Sequence, residues 1–231
     1  MITLTLQCSS CRQSPPTFTT IPLCTDCAAS PLPCPPLCPN CASPQCPPQA
    51  CLRPWIEKTD VATYNARYLL LGPGYRTIRR WKIVGGRLFD QRILKMDAHL
   101  RNKLRETEVS AVIPIPQRLR RAWNFRGSPA DRVAQWISRE IAIPFQPALA
   151  PSAKSHHAPR QAELKLNERF QNPIRFEFQK EYRPYLKKGV ILVDDFMTTG
   201  HTLRAAARLL NAHGISPVHV FCLGVRPSRT G

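Results

Sequence analysis

The sequence predicts an α/β fold: a mostly parallel sheet flanked by helices, with a small cysteine-rich module in front of it. Three observations carry that prediction. Strand-like apolar runs at 109–115, 190–193 and 218–223 alternate with segments whose apolar residues recur at helical spacing. The run Val190-Ile191-Leu192-Val193 is continuously apolar and rich in β-branched residues, as a strand buried on both faces requires. Nine of the ten cysteines fall between Cys8 and Cys51. Such clustering divides the 231 residues into a module at 1–53 and a domain of ordinary size at 54–231.

The module is dense in proline, with more than one residue in three from 31 to 54, so little helix is expected there. A segment without a large apolar core needs staples. Cys8-x2-Cys11 and Cys24-x2-Cys27, twelve residues apart, have the spacing of a tetrahedral four-cysteine zinc site in a ribbon-like module. Cys38-x2-Cys41 forms a further knuckle, and Cys46 with Cys51 would complete a second zinc site, leaving Cys34 over. One or two structural Zn²⁺ ions are therefore expected, and a disulfide framework is the alternative. Residues 1–7 carry no basic segment and no long apolar run follows, so neither a secretory signal nor membrane insertion is expected. A reducing cytoplasm suits that reading and weighs against disulfides.

Beyond the module, 64–71 is apolar at several positions and stops at Gly72-Pro73-Gly74. A short helical piece is expected over 78–82. Leu88, Phe89, Ile93, Met96, Leu100 and Leu104 recur at helical spacing and predict one long amphipathic helix with a basic outer face. Residues 109–115 read as the first core strand, 130–141 as a helix and 143–149 as a short strand. The polar, basic segment 151–173 reads as a loop or lid. Strand 190–193, a helix from Thr202 to Ala212 and a last strand at 218–223 follow.

Thirty-three basic against 15 acidic residues give a formal charge of +18, which eight zinc-bound thiolates and two Zn²⁺ would lower only to about +14. Eleven Lys/Arg and two acids lie between Arg67 and Arg105, and Arg118, Arg120, Arg121 and Arg126 form a second cluster. Such a field attracts polyanions, either nucleic acid or a small phosphorylated substrate; a generally basic, soluble surface is the alternative. Trp81 and Trp123, set among these cations, are read as core residues, with stacking on bases as the other option. His156, His157, Lys154, Arg160 and Arg169 in the lid segment are weaker candidates for phosphate or proton chemistry.

The most informative stretch is Asp194-Asp195-Phe196-Met197-Thr198-Thr199-Gly200-His201-Thr202, which joins the central strand to a helix. A helix start presents backbone N–H groups and a positive dipole end to an anion. Thr198, Thr199 and Thr202 add hydroxyl donors, and Gly200 permits close backbone approach. The paired carboxylates suit vicinal sugar hydroxyls or a Mg²⁺ ion carried by a phosphorylated sugar. Together they predict a ribose 5-phosphate site. In an open parallel sheet such a site lies at the carboxyl ends of the strands.

This run resembles the PRPP-binding motif of the type I phosphoribosyltransferases, hydrophobic-hydrophobic-Asp-Asp-x-x-Thr-Thr/Ser-Gly-x-Thr, and it matches every defining position. The whole chain is similar to the ComF family (ComFC/GntX type), which joins a cysteine-rich zinc module to a type I phosphoribosyltransferase fold. Ile113-Pro114-Ile115-Pro116 followed by arginines, Lys82 after Tyr75, and Gln161, Leu164, Arg169, Asn172 and Phe176 resemble further family positions. Where the family has Arg-Gly-Phe-Asn-Gln, this chain has Arg121-Ala122-Trp123-Asn124-Phe125. The resemblance implies Asp194 and Asp195 as the catalytic pair. It implies Thr198, Thr199, Gly200, Thr202, Lys82 and Arg118 as PRPP contacts, with Mg²⁺ accompanying PRPP. Arg120 and Arg121 are candidate nucleic-acid contacts. The implied role is in natural competence, with single-stranded DNA as a partner and competence or recombination proteins as candidate partners. Two alternatives stand beside it: an active phosphoribosyltransferase of nucleotide salvage, and a PRPP-sensing regulator that binds nucleic acid.

Overall fold

A computed structural model describes residues 31–38, 42, 44, 60–71, 74–84, 87–117, 127–152 and 176–226. Its centre is a four-stranded sheet built from β1 (Thr63–Leu69), β2 (Val109–Pro114), β5 (Gly189–Met197) and β6 (Val218–Val225), in the order β1-β6-β5-β2 with every pair parallel. A separate antiparallel pair joins β3 (Leu149–Pro151) to β4 (Phe176–Phe178). The helices are α1 (Gly74–Val84), α2 (Arg87–Ile93), α3 (Ala98–Arg105), α4 (Pro129–Ile141) and α5 (His201–Ala212).

Period-two alternation along the strands makes two cores. Ile191, Val193, Phe221 and Leu223 bury one face against Ile78 and Trp81 of α1, Leu100 and Leu104 of α3, and Val133 and Ile137 of α4. Val190, Leu192, Val220 and Cys222 bury the other face against Leu203, Ala207 and Leu210 of α5. The predicted α/β architecture, with helices on both faces of a parallel sheet, is therefore present. Cys222 is fully buried, as a small core residue should be. Trp81 is also fully buried, with its Nε1 donating to Asp90 at 2.6 Å, so it offers no stacking face to a base.

Four expectations about the elements need correction. The strand at 109–115 is not the first of the sheet. Residues 63–69 precede it as β1, an edge strand that carries Asn65 and Arg67 among its apolar residues. The single long helix over 88–104 is two helices, because Arg67 of β1 draws off the backbone between them. Its Nε donates to the Lys95 carbonyl at 2.8 Å and its Nη1 pairs with Asp97 at 2.7 Å. Asp97 then caps α3 through a 2.8 Å bond from the Leu100 N–H. At 143–149 the chain makes only an isolated parallel bridge, Val112 to Phe145, and β3 begins at Leu149. Pro144 and Pro147 lack the N–H groups that a continuous ladder would use. The motif strand does not stop at Val193 but runs through both aspartates to Met197.

The segment at 32–34 lies along the open flank of β1. The Leu69 N–H donates to the Leu32 carbonyl at 2.9 Å and the Cys34 N–H to the Arg67 carbonyl at 3.1 Å. The edge strand is thereby covered by the chain's own N-terminal region. The expected division at 53/54 falls outside the described residues, as do Cys8, Cys11, Cys24, Cys27, Cys41, Cys46 and Cys51.

Candidate phosphosugar site at the carboxyl end of the sheet

β5 occupies a central position, so its carboxyl end projects the chain over the middle of the sheet edge. The last strand residues carry the carboxylates, and each one turns back on the backbone. Asp194 accepts from the Asp195 N–H at 2.8 Å, and Asp195 accepts from the Phe196 N–H at 2.7 Å. Asp195 is buried and Asp194 is partly buried. From α1, Lys82 places its Nζ 2.7 Å from Asp195 Oδ2. That oxygen takes no aligned hydrogen bond, so the ammonium acts on it as a charge. The Lys82 Nζ also lies 4.7 Å from the centroid of the Phe196 ring, and Tyr75 meets the same ring edge-on at 6.4 Å. Burial, and after it the charge of Asp195, pushes the Asp194 carboxyl well above the usual carboxylate range, while Lys82 pulls in the opposite direction.

After Met197 the chain leaves the sheet. The Arg226 N–H, just past the end of β6, donates to the Met197 carbonyl at 2.8 Å and fixes the point of departure. Thr198 is exposed, Thr199 is half-buried, and Gly200 stands before the first residue of α5 in the left-handed region at φ +72°. An L side chain there would be strained, which explains the glycine. The first helical bond runs from the Arg204 N–H to the Gly200 carbonyl at 2.9 Å. Thr202, half-buried, lies in the first turn of α5. The structure thus brings Asp194, Asp195, Lys82, Thr198, Thr199, Gly200 and Thr202 to one end of the sheet. Arg118, Arg120 and Arg121 lie outside the described residues.

Two features of the site were not read from the sequence. One is the ion pair between Lys82 and Asp195, which are 113 positions apart. The other is Arg204, a buried arginine between Leu203 and Ala206, Ala207 on the inward face of α5, whose Nη2 donates to the Thr199 carbonyl at 3.0 Å. The signal for it was present: a lone cation at an apolar helical position requires a specific partner.

Away from this end, Cys38 is buried and its carbonyl accepts from the Ala42 N–H at 2.8 Å, with Ala42 at φ +52°. Burial pushes the Cys34 thiol up to about 12. Among the described residues no group of three or more His, Cys, Asp or Glu side chains converges as a metal site, and no helix is long and apolar enough to cross a membrane.

The chain is similar to several known proteins. The chain is 26% identical over 196 residues to the DNA utilization protein YhgH of Escherichia coli O157:H7, covering 81% of this chain and 83% of that one. It is 27% identical over 197 residues to the DNA utilization protein YhgH of Salmonella typhimurium, with the same coverage. It is 31% identical over 114 residues to competence protein F of Haemophilus influenzae, 49% of each chain, so it spans about half the length of that relative. Residues 133–231 match the phosphoribosyl transferase domain family, and this range contains β5, the Asp194–Thr202 run, α5 and β6.

Proposed function

We propose that the protein binds PRPP or another ribose 5-phosphate group together with Mg²⁺ at the carboxyl end of β5, and that it acts in the handling of single-stranded DNA. The observation that carries the first part is the continuity of Asp194 and Asp195 with a left-handed Gly200 turn on the start of α5. That continuity sets a diol- or metal-binding pair beside a phosphate cradle. In this reading Thr198, Thr199, Thr202 and the backbone at Gly200 hold the 5-phosphate, and Asp194 and Asp195 hold the ribose hydroxyls. Lys82 and Arg118 meet the pyrophosphate. Mg²⁺, when bound, neutralises phosphate charge.

The DNA part rests on the formal +18 charge and on the similarity to proteins named for DNA utilization and competence. Arg120 and Arg121 remain candidate contacts. On the helical layer, Arg76, Arg79, Lys95, Lys103 and Arg105 are exposed, whereas Arg67 and Arg101 are spent on Asp97 and Glu140. With Trp81 buried, base stacking falls to Trp123 alone of the two tryptophans considered. The test is calorimetric titration of the full-length protein with PRPP, with and without Mg²⁺, followed by PRPP turnover against a panel of acceptor bases. Mg²⁺-dependent binding is expected. Base-dependent turnover would make the protein a phosphoribosyltransferase of salvage, binding without turnover favours a handling or sensing role, and absence of PRPP binding overturns the reading. A single-stranded oligonucleotide titrated at several salt concentrations should lose affinity steeply, with a slope of about 0.7 for each phosphate contact; salt-independent binding or none refutes the DNA part.

The same reading includes a cysteine-held zinc module. Its support is the ligand spacing and the buried Cys38, whose tight turn to a left-handed Ala42 suits a knuckle over Cys38 and Cys41. Metal analysis of the purified protein should give one to two zinc ions per chain, and protein that is folded over this module yet free of metal would remove zinc from the account.

A further inference from the structure

We infer that Arg204 is a positioning residue for the phosphate loop. Its buried guanidinium holds the Thr199 carbonyl inward, which turns the N–H of the next residue, Gly200, outward toward the phosphate of a bound phosphosugar. The inference rests on the phosphosugar reading above and adds to it a residue that touches no ligand.

The geometry begins with one peptide unit. Arg204 Nη2 donates to the Thr199 carbonyl oxygen at 3.0 Å, from a residue only 9% exposed. A peptide bond is planar and trans, so the C=O and N–H of one unit point in opposite directions. The N–H opposite the Thr199 carbonyl belongs to Gly200. With the carbonyl drawn toward the body of α5, the Gly200 N–H is directed to the opposite side of the peptide. Gly200, at φ +72°, has the freedom to rotate that peptide the other way, since both signs of φ are open to glycine. Something must therefore choose the orientation, and the arginine does. Its own N–H, bonded to the Gly200 carbonyl at 2.9 Å, ties the same residue into the first turn of the helix. The loop is thus held at both ends of Gly200 by a single side chain and its backbone.

Electrostatics point the same way. Burying an arginine is costly unless its charge is answered. Among the described residues no carboxylate forms an ion pair with Arg204. Among these residues, the carbonyl dipole answers it only in part. An anion held above the loop would complete the compensation and would add to the positive end of α5. Arginine suits this better than lysine because its fork is rigid and keeps its charge when buried. Arg204 is accordingly distinct from Thr198, Thr199 and Thr202, which would contact the phosphate directly.

The test compares wild type, Arg204→Met and Arg204→Lys as full-length proteins, with ribose 5-phosphate as the calorimetric probe. The Gly200 amide is followed by nitrogen-15 NMR. Wild type should bind and should shift the Gly200 amide on binding. Arg204→Met should bind about tenfold more weakly and lose that shift, and Arg204→Lys should recover part of both, because lysine can still donate to one carbonyl. The recovery separates positioning from simple destabilisation, which melting curves of the three proteins record independently. Equal affinity in wild type and Arg204→Met, or a Gly200 amide that stays still while wild type binds, overturns the role of Arg204 and leaves the phosphosugar site standing. Failure of wild type to bind any ribose 5-phosphate overturns the site reading and this one with it.

Discussion

Replacing Asp194 with Asn should raise the melting temperature of the protein, with a gain in stability that grows with pH, and should weaken the ribose 5-phosphate binding proposed above. Burial first, and the neighbouring Asp195 second, push the Asp194 carboxyl well above its usual range. A carboxyl whose folded pKa lies above its unfolded value is bound to its proton more tightly in the native state. Its contribution to stability is fully present below the unfolded value, near 3.8, and is lost as pH rises through the folded value. As pH rises above the unfolded value, the unfolded chain sheds this proton into water at no cost, whereas the native protein must either keep the proton or bury the charge, so the wild type loses stability relative to the neutral variant. Asparagine keeps the shape and an acceptor for the Asp195 N–H, and removes the charge. Melting curves of wild type and Asp194→Asn should nearly coincide toward pH 4 and separate toward pH 8. About 2–4 °C is expected for each kcal/mol relieved in a chain of this size. Ribose 5-phosphate affinity should fall by about tenfold or more, since a charged hydrogen bond to the ligand is lost. A melting difference that is negative, or equal at both ends of the pH range, would contradict this account of Asp194. The combination of a more stable fold and a poorer ligand site is the pattern expected where a site stores unfavourable electrostatics for use on a ligand.

Much of the site was legible because its parts are contiguous. The aspartates, the threonines and Gly200 are neighbours in the chain, and a strand–turn–helix unit keeps sequence neighbours together in space. What could not be read depends on long-range pairing. Lys82 reaches Asp195 only because α1 packs Ile78 and Trp81 on the same face of the sheet as Ile191 and Val193. The break between α2 and α3 likewise belongs to Arg67, a residue of another element. It competes for the Lys95 carbonyl that helical periodicity alone would assign to the next turn. β1 was obscured for a different reason. An edge strand that contributes a buried Asn65 to a polar trio with Thr63 and His219 does not read as an apolar run. The strand end was misplaced because charged residues look like a loop, yet Asp194 and Asp195 satisfy the N–H groups that follow them and keep extended backbone through Met197.

Lys82→Met should cost the fold about 1–3 kcal/mol, and Asp195→Asn in the same chain should return most of it. Asp195 has a side chain only 7% exposed, and Lys82 is its ion-pair partner at 2.7 Å. Removing one member of a buried pair leaves an uncompensated charge, which is worth more than the pair itself. The Lys82 side chain is 28% exposed, so water can enter when it is gone, and the loss is set below that of a fully enclosed pair. Methionine preserves the stem that lies against Phe196, which confines the change to the ammonium. Isothermal urea unfolding of wild type, each single variant and the double variant forms a closed cycle. A coupling energy of about 1 kcal/mol or more between the two positions is expected, with Lys82→Met the least stable of the four. Additive effects would mean that Lys82 stabilises the site through packing alone. The cycle bears on ligand binding as well. If Lys82 leaves Asp195 to meet a pyrophosphate group, the partner it abandons must be met in turn by ribose hydroxyls or a Mg²⁺ ion. The single Lys82→Met variant should then lose PRPP affinity but retain most of its affinity for ribose 5-phosphate, which carries no pyrophosphate.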